Sequence, residues 1–494
     1  MSALEKKLYQ LIISRLNGDK LSSTSYREGL LELVQKGIGG FIIFGGRKDE
    51  VKDFVFKLQS ASETPLFIAS DIERGVGQQI EGGSHFPSQM AVAAAINNDD
   101  DQDVKLLINA ILYVAAEAAD IGINMPLVPV LDVNLNPDNP IICTRAFSDK
   151  PGDVAWYGSM YIKVIEDFGL LSCAKHFPGH GDTDIDSHIS LPVISKSLNE
   201  LMQTDIFPFK KAVKLDVSSI MAGHLSIPAI DSLPTTVSLK MIELLRGELG
   251  YEGLIMTDAL SMDALQELGD VATKCMNAGY DIILHPVDAD LTVEILNRSV
   301  SSGDIEEAKI ETAVERILKY KSKITRGQRP APDYSKHEEL FRVISDRAVT
   351  LVKDTPGALP LADLQNMSLV YTFDENRHDL TVLKKAFQRA ESIAECNTDD
   401  VRETVVFALF TSIAAWEGSS GISHEEIDII KKLIENAGRS IVLSFGSPYV
   451  LRHFGEADVL IAAYDSSGQA QVSAMKCLRG EVVFQGRLPV ELKS

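Results

Sequence analysis

Cysteine is scarce in this 494-residue chain: there are five, at 143, 173, 275, 396 and 477, odd in number and scattered. That excludes a disulfide scaffold, and no C-x-x-C or other zinc spacing occurs. Long apolar runs are missing as well; none approaches the ~18 residues of a membrane span. The opening MSALEKKLYQLIISRL has no unbroken apolar core, so it is not read as a secretory signal, and a cytoplasmic protein is expected. Positive charge is in short supply, with 48 Lys+Arg against 70 Asp+Glu and a formal charge of −22. Such a surface repels phosphate backbones and anionic lipid, which argues against nucleic-acid and membrane partners. No short-period repeat or low-complexity tract appears. What is present is ordinary globular material, 45% hydrophobic and 24% charged, enough for two or three domains at ~150 residues each. Leu4, Leu8, Ile12 and Leu16 recur every four residues, as in an amphipathic helix.

From about residue 38, short apolar runs alternate with helical stretches. The runs are 40–45, 65–71, 123–133, 170–177, 218–224, 253–258 and 281–286, with helical patterns at 151–167, 198–213 and 238–249 among them. Continuous apolar runs suit strands buried on both faces, and the intervening helices suggest βαβ units. Seven runs over this length fit a (β/α)8 TIM-type barrel with one strand unseen or irregular; an open doubly wound sheet is the competing architecture. Residues 304–321 make a last helix, with Asp304 as a candidate cap, and RGQRPAPDYSK (326–336) reads as a linker. A second alternating block has strand candidates at 349–354, 368–373, 405–410, 440–446, 459–464 and 481–486, and a helical pattern at 424–436. Its simplest form is a smaller doubly wound α/β sandwich. The expected division is a barrel over 1–325, a linker over 326–340 and the sandwich over 341–494.

In the first block, polar residues gather where apolar runs end: Asp71, Lys175, His176, His224, Asp258 and His285. In a parallel barrel those ends share one rim, where residues far apart in sequence meet. The densest segment is KHFPGHGDTDIDSH (175–188), which Pro178, Gly179 and Gly181 make a loop. Asp186 and His188, separated only by Ser187, can pair so that a carboxylate orients an imidazole for acid/base chemistry near neutral pH. A metal site ranks lower, because the spacing matches no two-His helical motif and the loop lacks cysteine.

These residues give the sequence its resemblance. KHFPGHGDTDIDSH with Leu191–Pro192 resembles the signature of glycoside hydrolase family 3, in its β-N-acetylhexosaminidase branch. Further similarity runs in order along the chain: Ser70–Glu73, LVPVLDVN (127–134), TRAF (144–147), SSIMAGH (218–224), LPTTVSLKMIELLRGELGYEG (233–253) and IMTDALSM (255–262). RAVTLVKD (347–354) and GRLPVEL (486–492) look like the start and end of the C-terminal sandwich of longer members. One departure stands in DIERGVGQQ (71–79): counted without a gap, Gln79 holds the place of a subsite arginine, and Arg74, which arrives early, is the alternative.

The resemblance implies a retaining mechanism. Asp258 matches the nucleophile, His188 oriented by Asp186 the acid/base, and Asp71, Arg145, Lys175 and His176 the sugar-binding subsite. No cofactor or metal is implied. The expected activity is removal of a terminal GlcNAc from a muropeptide or chito-oligosaccharide, as in cell-wall recycling, with a small carbohydrate as partner and no oligomeric state assigned. Alternatives are a phosphorylase using the same residues, a β-glucosidase of the same family, and a noncatalytic sugar-binding protein.

Overall fold

The computed structural model describes residues 1–184, 191–261, 269–325, 332–361, 363–372, 379–411, 413 and 421–492. Its chain divides into two compact units, the first made of residues 1–86, 108–133 and 151–337, the second of 87–107, 134–150 and 338–494.

Among the described residues the first unit carries eight strands: β1 (Ile12–Asn17), β2 (Gly40–Phe44), β3 (Phe67–Ser70), β4 (Met125–Pro126), β5 (Cys173–Phe177), β6 (Ser219–Ala222), β7 (Leu254–Thr257) and β8 (Ile283–Leu284). They pair in parallel as β4-β3-β2-β1-β8 and β5-β6-β7. Single parallel bridges, Val130 to Lys175 and Met256 to Ile282, join the two sets on either side, so the pairings run in a circuit. This is a barrel-like α/β arrangement, and every residue of β3, β5, β6 and β7 is buried. Helices between strands are marked by local chemistry. Thr24–Lys36, for example, starts where Ser23 accepts the Tyr26 N–H and ends at Gly37 with φ 89°. Gly40 is required for a different reason: a Cβ there would stand 2.1 Å from the Phe67 carbonyl oxygen, in the adjacent strand.

β1 is the strand that periodicity hid. The helix at the start covers only Ala3–Gln10, and Ile12 and Leu16 belong to β1. A spacing of four is a whole number of strand periods and nearly one helical turn, so it does not discriminate between them. At the other end, the last helix spans Glu307–Lys321 with Glu306 at its N-cap, while Asp304 accepts from the Ser302 hydroxyl instead of capping.

The second unit holds β9 (Thr350–Asp354), β10 (Ser368–Thr372), β11 (Arg389–Ser392), β12 (Val405–Phe410), β13 (Ser440–Phe445) and β14 (Val459–Ala462). Their order is β11-β10-β12-β13-β14-β9, parallel except for β9, which runs antiparallel on the edge. Leu369, Tyr371, Val406, Ala408, Ile441, Leu443, Val459 and Ile461 share one hydrophobic cluster with Leu383, Met475 and Leu478 of the helices Thr381–Ala386 and Gly468–Leu478. The intervening β12 and β13 residues are buried too, as apolar runs without alternation imply. The expected strand at 481–486 is absent: these residues are in no strand, and Val483 is exposed. The sixth strand is instead β11, whose RAES sequence pairs with β10 alone and carries no apolar signal.

Candidate active site

Because the first unit's strands run parallel, their C-terminal ends meet on one rim. Lys175 comes from β5 and is only 1% exposed. Its Nζ lies 2.6 Å from Asp71 Oδ1 and 2.6 Å from Glu73 Oε1, both just past β3. An ammonium this deep needs such partners, since an unpaired charge out of water is strongly disfavoured. Glu73 is itself buried, while Asp71 remains partly open.

Next to Lys175, His176 and the loop after it are held by Asp132, which is fully buried. Asp132 Oδ2 meets His176 Nδ1 at 2.7 Å, and Oδ1 accepts the backbone N–H groups of His176 at 3.3 Å and His180 at 2.6 Å. Burial alone would raise the Asp132 carboxyl, but the pull of His176 and His180 outweighs it and holds the group below its ordinary value. Burial pushes the His180 imidazole down to about 4, against the opposing charge of Asp132, and its Nδ1 lies 2.9 Å from Thr183 Oγ1.

Asp258 follows β7 directly. Its N–H donates to the Ala222 carbonyl at 3.1 Å, and its Oδ1 accepts from the Ala259 N–H at 2.7 Å. The turn is pinned from β6 by buried His224, with Nδ1 2.6 Å from Thr236 Oγ1 and Nε2 3.1 Å from the Ala259 oxygen. Beyond β8, His285 Nδ1 lies 3.0 Å from Ser261 Oγ. Its imidazole is pushed down to about 4 by burial and then by Arg15, while the charges of Asp71 and Asp258 act in the opposite sense. A partly open carboxylate on the rim that also holds a fixed ammonium and a carboxylate-held imidazole has the chemistry to serve as a nucleophile among hydroxyl-binding groups.

The profile described as "Glycosyl hydrolase family 3 N terminal domain" matches residues 3–320. The chain belongs to glycosyl hydrolase family 3. The family expected from the 175–188 loop is thus the family found, and the chain is a glycosidase. It is 28% identical to β-hexosaminidase A of Pseudoalteromonas piscicida, over 96% of this chain and 93% of that protein. It is 26% identical to a β-N-acetylglucosaminidase/β-glucosidase of Cellulomonas fimi, over 92% of this chain and 88% of that one. Among solved structures, the family 3 β-N-acetylglucosaminidase of Paenibacillus sp. str. FPU-7 superposes with a TM-score of 0.84 at 27% identity, covering 100% and 99% of the two chains.

In this family 3 glycosidase, the structure places Asp71, Lys175, His176 and Asp258 on the rim of the first unit. Arg145 lies in the second unit, at the end of the short turn Cys143–Arg145. Its Nη1 donates to the Ile141 carbonyl at 3.0 Å, and its own carbonyl accepts from Gln89 Nε2 at 2.7 Å. Asp186 and His188 lie outside the described residues. The Arg74 N–H donates to Gln78 Oε1, and the Gln79 N–H closes a turn on the Val76 carbonyl. Glu73, Asp132 and His180 are rim residues that sequence reasoning left out of the site. A single acid inside an apolar run, as in LVPVLDV, was the available signal for Asp132. Among the described residues, no helix is long and apolar enough to cross a membrane.

Proposed function

We propose that this glycosidase is a retaining exo-β-N-acetylhexosaminidase that removes a terminal GlcNAc from a muropeptide or chito-oligosaccharide. The observation that carries the reading is Asp258, a partly open carboxylate fixed at the end of β7 on the same rim as the Lys175–Asp71–Glu73 cluster. Asp258 attacks the anomeric carbon, the glycosidic bond breaks and the leaving oxygen takes a proton from His188, which Asp186 orients. Water then gives that proton back to His188 as it opens the glycosyl ester, with net retention. Lys175, Asp71 and His176 bind hydroxyls of the terminal sugar by charge-assisted hydrogen bonds. Asp132 keeps His176 in one orientation for this task. The name of the Paenibacillus protein supports GlcNAc as the sugar, and that of the Pseudoalteromonas relative supports a hexosaminide. The proposed frame is a closed (β/α)8 barrel over 1–325, which the circuit of eight paired strands supports, a linker over 326–340 and a doubly wound sandwich over 341–494.

The Cellulomonas relative's name favours a second activity, on β-glucosides. Matched p-nitrophenyl β-glycosides of GlcNAc, glucose and GalNAc, assayed with and without phosphate, separate the readings. A site built around the acetamide leaves buried groups unpaired when it is missing, so kcat/KM for GlcNAc should exceed that for glucose by at least ~10²-fold. Equal rates on the two sugars refute the specificity, and a product sugar phosphate refutes hydrolysis.

A further inference from the structure

Three side chains on neighbouring strands of the rim have no part in the chemistry above. Arg15 stands in β1, Phe44 ends β2 and His285 follows β8, and β8, β1 and β2 are consecutive in the sheet. The Arg15 guanidinium carbon lies 5.0 Å from the centre of the Phe44 ring, and the His285 ring lies 5.7 Å from the same ring, tilted by 42°. Arg15 is exposed, and no carboxylate lies within ion-pair distance of it among the described residues. That stands out in a chain with 70 acidic residues, on a rim that already holds Asp71, Glu73, Asp132 and Asp258. A guanidinium laid on an aromatic face keeps its charge and presents its edge donors outward, in the fork geometry that suits a carboxylate. His285, pushed down to about 4, stays neutral at working pH and adds hydrogen-bonding capacity without competing charge. Lys175 is 1% exposed whereas Arg15 is open, and His285 feels the charges of Asp71 and Asp258 as well as that of Arg15, so the group borders the proposed sugar site on its open side.

We propose that Arg15, Phe44 and His285 form a subsite for a carboxylate carried on the leaving-group side of the substrate, with Arg15 pairing the anion and Phe44 fixing the guanidinium plane. This deepens the hexosaminidase reading and rests on it for the position of the sugar. The test compares kcat/KM for GlcNAc β-1,4-linked to N-acetylmuramic acid with that for neutral chitobiose. The wild type should favour the acid by about 10-fold at low salt, and the advantage should shrink at about 0.5 M salt. Arg15→Gln should bring the ratio within about two-fold of unity, with Arg15→Lys intermediate. No preference in the wild type, or an unchanged ratio in Arg15→Gln, overturns the subsite. A second arm needs no turnover: calorimetric titration of free N-acetylmuramic acid against GlcNAc should show an advantage for the acid that Arg15→Gln abolishes. Arg15-dependent binding without hydrolysis supports the subsite and overturns only the proposed activity. Hydrolysis of GlcNAc glycosides without charge preference overturns only the subsite.

Discussion

Asp258 Oδ1 accepts the Ala259 N–H, a bond that an amide in its place retains while losing the negative charge. Asp258→Asn should therefore keep stability within about 1 kcal/mol while turnover of p-nitrophenyl β-GlcNAc falls by at least ~10³-fold. Near-normal rates in a folded variant would remove Asp258 from the reaction. His180 offers a prediction of another kind, because its imidazole is buried and protonates at about 4. In the unfolded chain it protonates near ~6.5, so between these values the unfolded state binds more protons. The stability it contributes is complete above ~6.5, declines as pH falls and is lost by about 4, a span on the order of 3 kcal/mol. His285 titrates in the same window, whereas Asp132, held below its ordinary value, matters only at lower pH. Thermal melts of His180→Gln from pH 7 to 4 should lose about one proton's worth of slope. A slope equal to the wild type's would put the acid sensitivity elsewhere.

Strands rather than single groups set the rim, and β2 and β3 leave no room for a side chain at Gly40. A methyl at Gly40 would meet the Phe67 carbonyl oxygen at 2.1 Å, which no rotamer relieves because the backbone fixes both the Cβ and the oxygen. Gly40→Ala should cost about 3 kcal/mol or more, read as a lower denaturation midpoint, since the two strands must separate locally. A neutral substitution would mean the pairing has slack that the register does not suggest. The strands most legible in the sequence were those buried on both faces, such as β7 with LIMT and β13 with SIVLSF. β11 was illegible because an edge strand reading RAES is stabilised by backbone pairing to β10 and not by side-chain burial. VVFQG at 482–486 misled in the opposite sense, its apolar residues partly packing on the cluster of the second unit without joining the sheet. On the rim, Asp71, Lys175, His176 and Asp258 were readable because each ends an apolar run. Asp132 and Glu73 were not, because their role is to neutralise or orient a neighbour, and only the folded chain shows which neighbour.

For the molecule as a whole, the chain passes between its two compact units five times. Segments 87–107 and 134–150 bond within the second unit to the C-terminal part of the chain. Ser88 donates to the Tyr464 carbonyl, Asn134 to the Tyr449 hydroxyl, Ser148 to the Pro489 carbonyl, and Arg487 N–H to the Ala94 carbonyl. A chain cut after His337 keeps both segments and loses those partners. It should be poorly soluble or melt well below the full chain, by calorimetry and sedimentation; a soluble, equally stable fragment would show that the segments need no such support. The same connectivity has a consequence in time. Ala94 leaves the ribosome almost four hundred residues before Arg487, and at ~5–20 residues per second that is a wait of roughly 20–80 s. Throughout that interval the second unit's earliest pieces exist without their partners, so its assembly finishes only after Arg487 has been made.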